Sequence, residues 1–143
     1  MTSRRALEDG GELAGRVLLG LLFVLEGFGK LGAYDAASGY MAASGMPPLL
    51  LPAAVAVELG AGLMVIIGWH ARLAAIALAA FCAVAAMVFH SRFGDRNQLL
   101  HFEKDLALAG AFLILWARGA GRVSLDAWRA DRRRAGSDQA SAA

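Results

Sequence analysis

The sequence predicts an all-α membrane protein: a bundle of four transmembrane helices with a short C-terminal interfacial helix. Three observations lead there. Apolar residues make up 58% of the 143-residue chain, and its mean hydropathy is +0.53, whereas soluble globules hold roughly 45–50% apolar residues. Apolar runs close to the ~20 residues needed to cross ~30 Å of hydrocarbon recur along the chain. Charge is placed unevenly: residues 118–134 hold six arginines, while residues 31–51 hold one acid, Asp35, and no base. Lipid cannot satisfy backbone hydrogen bonds, so the spans are expected to be helices.

Residues 1–12 read as a cytoplasmic tail. Arg4 and Arg5 ahead of an apolar run look superficially like a secretory signal. The run, residues 13–31, is longer than a usual signal core, contains Glu26 and Lys30 and is not followed directly by a convincing small-x-small cleavage site. A retained first span fits it better. The second span is residues 49–69, with Pro52 in its first turn, where a missing N–H is harmless. Gly68-Trp69-His70 makes a short turn into the third span, residues 71–89, so the second and third form an antiparallel hairpin. The apolar stretch 106–117 is short for a span. A start at Phe102 repairs the length, giving 102–118, and places Glu103, Lys104 and Asp105 in the first turn, where acids suit the helix dipole and long side chains snorkel.

Gly119 and Gly121 end the fourth span. Ser124 can cap a helix over residues 125–133, whose Leu125 and Trp128 would lie at the membrane surface. The membrane domain is thus residues 13–128, and residues 129–143 form a basic, disordered cytoplasmic tail. Gly15, Gly20, Gly27 and Gly29 in the first span, Gly60 and Gly62 in the second and nine alanines in residues 71–86 allow close helix packing where no hydrophobic force drives association.

With four spans, ten basic residues fall on the side of the termini and four on the other: Lys30, Arg92, Arg96 and Lys104. The positive-inside rule then puts both termini in the cytoplasm. A basic tail can also bind nucleic acid, but arginines beside a span serve topology and anionic lipid contact, and no nucleic-acid partner is expected.

Ionisable groups at membrane depth mark the candidate site, since each costs ~2.5–3.5 kcal/mol on insertion scales if it faces lipid at the centre. Glu26 and Lys30 are four apart on one face of the first helix, in the favourable order for an ion pair. Glu58 is near the middle of the second helix, His90 closes the third, and His101 and Asp105 are four apart at the start of the fourth, with Lys104 adjacent. These residues can converge at the outer end of the bundle. Lys30 and Lys104 are the only lysines, and both fall in this cluster; a lysine can pair as a compact point charge. Two readings stay open. Glu26, Glu58, Lys30, Lys104 and Asp105 form salt bridges that fix packing, or they line a pocket for a small polar head group or a quinone.

The histidines match no zinc template, and no metal site is expected. Gly60-Ala61-Gly62 neither follows a strand nor opens a helix, so it is no nucleotide loop. Cys82 is the only cysteine, which excludes an internal disulfide or a Cys-x-x-Cys pair; among the alanines it reads as a small buried hydrophobe.

Taken together, Gly15-Arg16, Glu26-Gly27-Phe28-Gly29-Lys30-Leu31, Gly45-Met46-Pro47, Glu58-Leu59-Gly60-Ala61-Gly62, Gly68, Arg72-Leu73-Ala74, His90, His101-Phe102, Lys104-Asp105-Leu106-Ala107 and Gly121-Arg122-Val123-Ser124-Leu125-Asp126 give a chain that resembles the DoxX family of small membrane proteins over residues 15–128. No one motif is highly specific; their order and spacing carry the likeness. The resemblance implies a four-helix bundle in the bacterial cytoplasmic (plasma) membrane. It implies less about activity. The family takes its name from a subunit of an archaeal thiosulfate:quinone oxidoreductase, and some members are linked to oxidative-stress or thiol-redox complexes. Glu26, Lys30, Glu58, His90, His101, Lys104 and Asp105 fall where the family places its polar residues, without assigned steps.

The leading expectation is an accessory, quinone-proximal subunit of a membrane redox assembly. No dinucleotide fingerprint or paired thiol is present, so a partner supplies the redox centre. The alternatives are a self-contained quinone oxidoreductase and a small-solute transporter or channel, against which four short spans without an internal repeat argue. No cofactor is expected beyond a quinone. The bilayer is the certain partner; a redox protein and further copies of the chain are left open.

Topology is testable directly. Alkaline phosphatase fused after Ala143 should be inactive and a cytoplasmic fluorescent reporter there active; an active phosphatase refutes the four-span reading.

Overall fold

The computed structural model describes residues 2–141; Met1, Ala142 and Ala143, the ends of the two expected tails, lie outside the described residues. The order is α1 (Thr2–Gly32), α2 (Tyr34–Ala43), a 3-10 turn (Pro48–Leu50), α3 (Leu51–Ile67), α4 (Ala71–Phe89), α5 (Arg96–Arg118) and α6 (Leu125–Ser141). The protein is all-helical, with no strand among the described residues. Pro48–Ile67 and Ala71–Phe89 are long and apolar enough to cross a membrane, each with mean hydropathy 2.2, and the bent pair α1–α2 adds a third candidate if counted as one span. On its own α1 is interrupted by Arg16, Glu26 and Lys30, and α5 carries Glu103, Lys104 and Asp105 near its start.

Helix α1 packs chiefly on α3, α4 chiefly on α5, and the α3–α4 hairpin joins the pairs. The α1–α3 crossing is close because it is made of glycine. A Cβ at Gly20 would sit 2.5 Å from the Gly62 carbonyl oxygen, and one at Gly62 would sit 3.0 Å from that of Gly20. Small residues at such a crossing let backbones meet. One core then draws on four helices: Phe23 of α1, Ala61 and Val65 of α3, Leu78 and Cys82 of α4, and Ala109 and Phe112 of α5. Phe23 meets Phe112 edge-to-face at 5.4 Å and Phe81 at 6.2 Å, the geometry ring quadrupoles favour. The outer surface stays apolar, with Leu18, Leu25, Phe28, Leu63, Leu73 and Ile114 at least half exposed.

The sequence reading missed α2. It leaves α1 at a 99° bend, pivoting on Ala33 (φ −126°, ψ 46°) just after glycines 27, 29 and 32, which weaken helix persistence. Ala37 and Met41 of α2 pack with Leu51, Val55 and Phe89, and Tyr40 stacks on Phe89 at 5.6 Å. The apolar spacing Ala37–Met41 was the available signal.

Other boundaries also move. The first helix begins at Thr2 rather than after a twelve-residue tail, with an exposed Arg4–Glu8 pair at 3.1 Å one turn apart. The fifth begins at Arg96, ahead of the expected Phe102, because Asp95 caps it by accepting from the Asn97 N–H at 2.8 Å. The sixth continues to Ser141, past the expected end at 133 and through residues read as disordered. Ser124 does cap it, accepting from the Ala127 N–H at 3.1 Å, and Arg132 lies over Trp128 at 4.2 Å, a contact one turn apart that supports continuation.

The end of the bundle opposite the polar cluster is tied by a buried arginine and a distant cap. The α3–α4 turn uses the left-handed region at Gly68 (φ 67°) and His70 (φ 44°). Asp126, from beyond α5, accepts from the His70 and Ala71 N–H groups at 2.9 Å each, a carboxylate on the helix N-terminus where the dipole favours it. Its own N–H donates to the Gly68 carbonyl at 2.9 Å. Arg16, 3% exposed, donates to the Val123 carbonyl at 2.5 Å.

The glycine crossing predicts an asymmetry between two otherwise equal substitutions. Gly20→Val should lower thermal stability in detergent by about 1–3 kcal/mol relative to Gly15→Val, since nothing lies within 4 Å of a Cβ at Gly15. Equal losses in the two variants would show that the crossing is not tight.

Candidate functional site

Two helix pairs bring the polar residues to one cavity. From α1, Lys30 reaches Glu26 one turn earlier at 3.3 Å and Glu58 of α3 at 2.8 Å. Glu58 has only 3% of its side chain exposed, Lys30 29% and Glu26 61%. The inner pair is thus shielded and short, as charge-assisted bonds are, while the outer one is solvent-screened and weak. Gly27, one residue after Glu26, makes this approach feasible: a Cβ there would sit 2.8 Å from the Leu59 side chain and 3.4 Å from the Glu58 Cβ.

From the other pair, His90 at the end of α4 lies with Nδ1 2.9 Å from Gln98 Oε1 and Nε2 3.8 Å from Asp105 Oδ2 of α5. His101 stacks on His90 at 4.9 Å, 22° from parallel. His101 and Asp105, four apart on α5, both meet His90, because α4 and α5 pack along their lengths. Gln98 was not singled out by the sequence, and a histidine one helix end away gave no local signal for it. Lys104 lines the cavity but is exposed and makes no ion pair among the described residues. The expectation that Lys104 would share the two glutamates is met by Lys30 alone.

The cavity between the pairs has a volume of about 840 Å³ and is lined by all seven predicted residues. Its apolar wall includes Leu22, Phe23, Met41, Leu51, Val84 and Phe89, so α2, unseen in the sequence, closes one side. Cys82 is 1% exposed and contributes to the wall from α4. Two buried acceptor atoms, Glu58 Oε2 and Asp105 Oδ2, have no hydrogen-bond partner among the described residues. No group of three or more potential metal ligands occurs among the described residues. An apolar chamber with a few ionisable groups at one place is the usual form of a small-molecule site.

Helices with apolar outer surfaces around such a chamber define a helical integral membrane protein. The DoxX family model matches residues 11–91. The chain is 38% identical over 122 residues to the Inner membrane protein YqjF of Escherichia coli (strain K12), covering 85% of this chain and 94% of that protein. It is 32% identical over 121 residues to the Inner membrane protein YphA of the same strain, covering 80% and 86%. No solved structure matches the chain. The chain belongs to the DoxX family of integral membrane proteins.

The geometry makes Lys30 the partner whose loss is felt. A double-mutant cycle of Glu58→Gln with Lys30→Gln, read by thermal unfolding in detergent, should show coupling of about 0.5 kcal/mol or more, and the same cycle with Lys104→Gln should show none. Coupling to Lys104 and not to Lys30 would contradict the assigned pair.

Proposed function

We propose that this DoxX-family protein is an accessory subunit of a membrane redox or oxidative-stress assembly, offering a quinone-proximal pocket to a partner that holds the redox centre. The observation behind this reading is the chamber of about 840 Å³ with apolar walls and ionisable groups from both helix pairs. Its size suits an amphiphile. An apolar tail would lie along Leu22, Met41 and Val84, and a quinone or quinol head would meet donors and acceptors among Lys30, Glu58, His90 and Asp105. With one cysteine and no dinucleotide fingerprint in the sequence, the chain brings no thiol pair of its own, and electrons would pass to or from a partner.

In this reading α1 and α5 cross the membrane with α3 and α4. Their charged residues are affordable there because Lys30, Glu58 and Asp105 turn toward the chamber instead of lipid. The ten-to-four distribution of basic residues supports a cytoplasmic side for both termini, and the two Escherichia coli relatives, both inner membrane proteins, support a bacterial cytoplasmic membrane location.

Purification from native membranes in mild detergent tests the proposal. Extraction with organic solvent should release quinone at a substantial fraction of one per chain, and mass spectrometry should find a flavin-, haem- or thiol-containing protein co-purifying. A chain that reduces quinone alone would be an enzyme in its own right. One that retains no quinone and binds no short-chain analogue would refute the pocket assignment.

A further inference from the structure

Two acidic residues that line the chamber each carry a buried carboxylate oxygen without a hydrogen-bond partner among the described residues. Glu58 Oε1 takes the Lys30 ammonium at 2.8 Å, but Glu58 Oε2 is buried with no partner, and so is Asp105 Oδ2. His90 Nε2 lies 3.8 Å from the latter, beyond hydrogen-bond reach. His90 Nδ1 lies 2.9 Å from Gln98 Oε1, which leaves Nε2 as the ring nitrogen on the Asp105 side. Glu58 comes from α3 and Asp105 from α5, and both line the chamber with Cys82 of α4. The two carboxylates therefore come to one chamber from different helix pairs.

The lysines do not answer them. Lys30 already divides itself between Glu26 and Glu58, and Lys104 points from an exposed position. A buried acceptor without a donor carries its full desolvation cost, so a ligand that donates there is favoured over one that only accepts.

We propose that the chamber binds the reduced, dihydroxy form of an apolar-tailed quinone in preference to the oxidised form, one hydroxyl donating to Glu58 Oε2 and the other to Asp105 Oδ2 beside His90 Nε2. This rests on the quinone-proximal reading and specifies which redox form the site holds. The carbonyls of the oxidised form are acceptors only and would add to the mismatch. A ligand ammonium would also donate, but at Glu58 it would sit beside the Lys30 ammonium and meet its repulsion; a neutral hydroxyl avoids that.

The full-length protein in detergent, held under argon, is titrated with decylubiquinol, decylubiquinone, the dimethyl ether of the quinol and dodecylammonium. The quinol is expected to bind roughly tenfold or more tightly than the quinone and than its ether, as a site built for a donor rejects an analogue lacking it. Glu58→Gln and Asp105→Asn, which put amide donors where acceptors were, should each narrow that ratio. The wild-type ratio stands even if a variant fails to fold. Equal or tighter quinone binding, equal ether binding, or dodecylammonium binding best overturns the donor preference while leaving a ligand chamber in place. Binding of neither redox form overturns the quinone-proximal reading as well.

Discussion

A lysine and a glutamate on separate helices, 2.8 Å apart and shielded from water, constrain much of the bundle. Neither charge can be left alone in an apolar interior, because desolvation far exceeds what scattered dipoles return. Lys30 must therefore arrive at Glu58, which settles how α1 slides along α3. The glycine crossing at Gly20 and Gly62 sets how near the two backbones come, and Phe23, one turn beyond Gly20, then enters the core among Leu78, Cys82 and Phe112.

The two ends of the bundle solve the same solvation problem differently. At the end near the chain termini, Arg16 and Asp126 spend their charges on backbone groups: the Val123 carbonyl and the first N–H groups of α4. Those bonds close the end and link α1, the α3–α4 turn and the segment after α5. At the other end the charges pair side chain to side chain, and α2 folds over them through Met41 and Tyr40. Between the helix pairs there the packing is incomplete, and the chamber is what remains.

The chamber joins apolar walls to ionisable groups from both helix pairs. Under the proposed reading it would hold an apolar carrier with its head among those groups. Glu58 and Asp105 come to the chamber from α3 and α5, so their spacing depends on how α1–α3 seats against α4–α5. Changes in that seating would alter ligand fit without touching any lining residue.

The membrane class, the α3–α4 hairpin, the start of α3 at its prolines, the Ser124 cap and all seven cavity residues were legible in the sequence, because hydropathy, turn residues and charges at membrane depth are local signals. The Lys30–Glu26 pair was legible for the same reason, being one helical turn apart. Tertiary packing decided the rest. It alone chose Lys30 over Lys104 for Glu58, since the choice turns on a glycine-mediated crossing that brings residues 28 positions apart within 2.8 Å. It alone sent Asp105 to His90, which belongs to the neighbouring helix. The 99° bend at Ala33 that turns α2 over the chamber, and the capping of α4 by Asp126 from 55 residues away, likewise arise from contacts between distant segments, which no local pattern encodes.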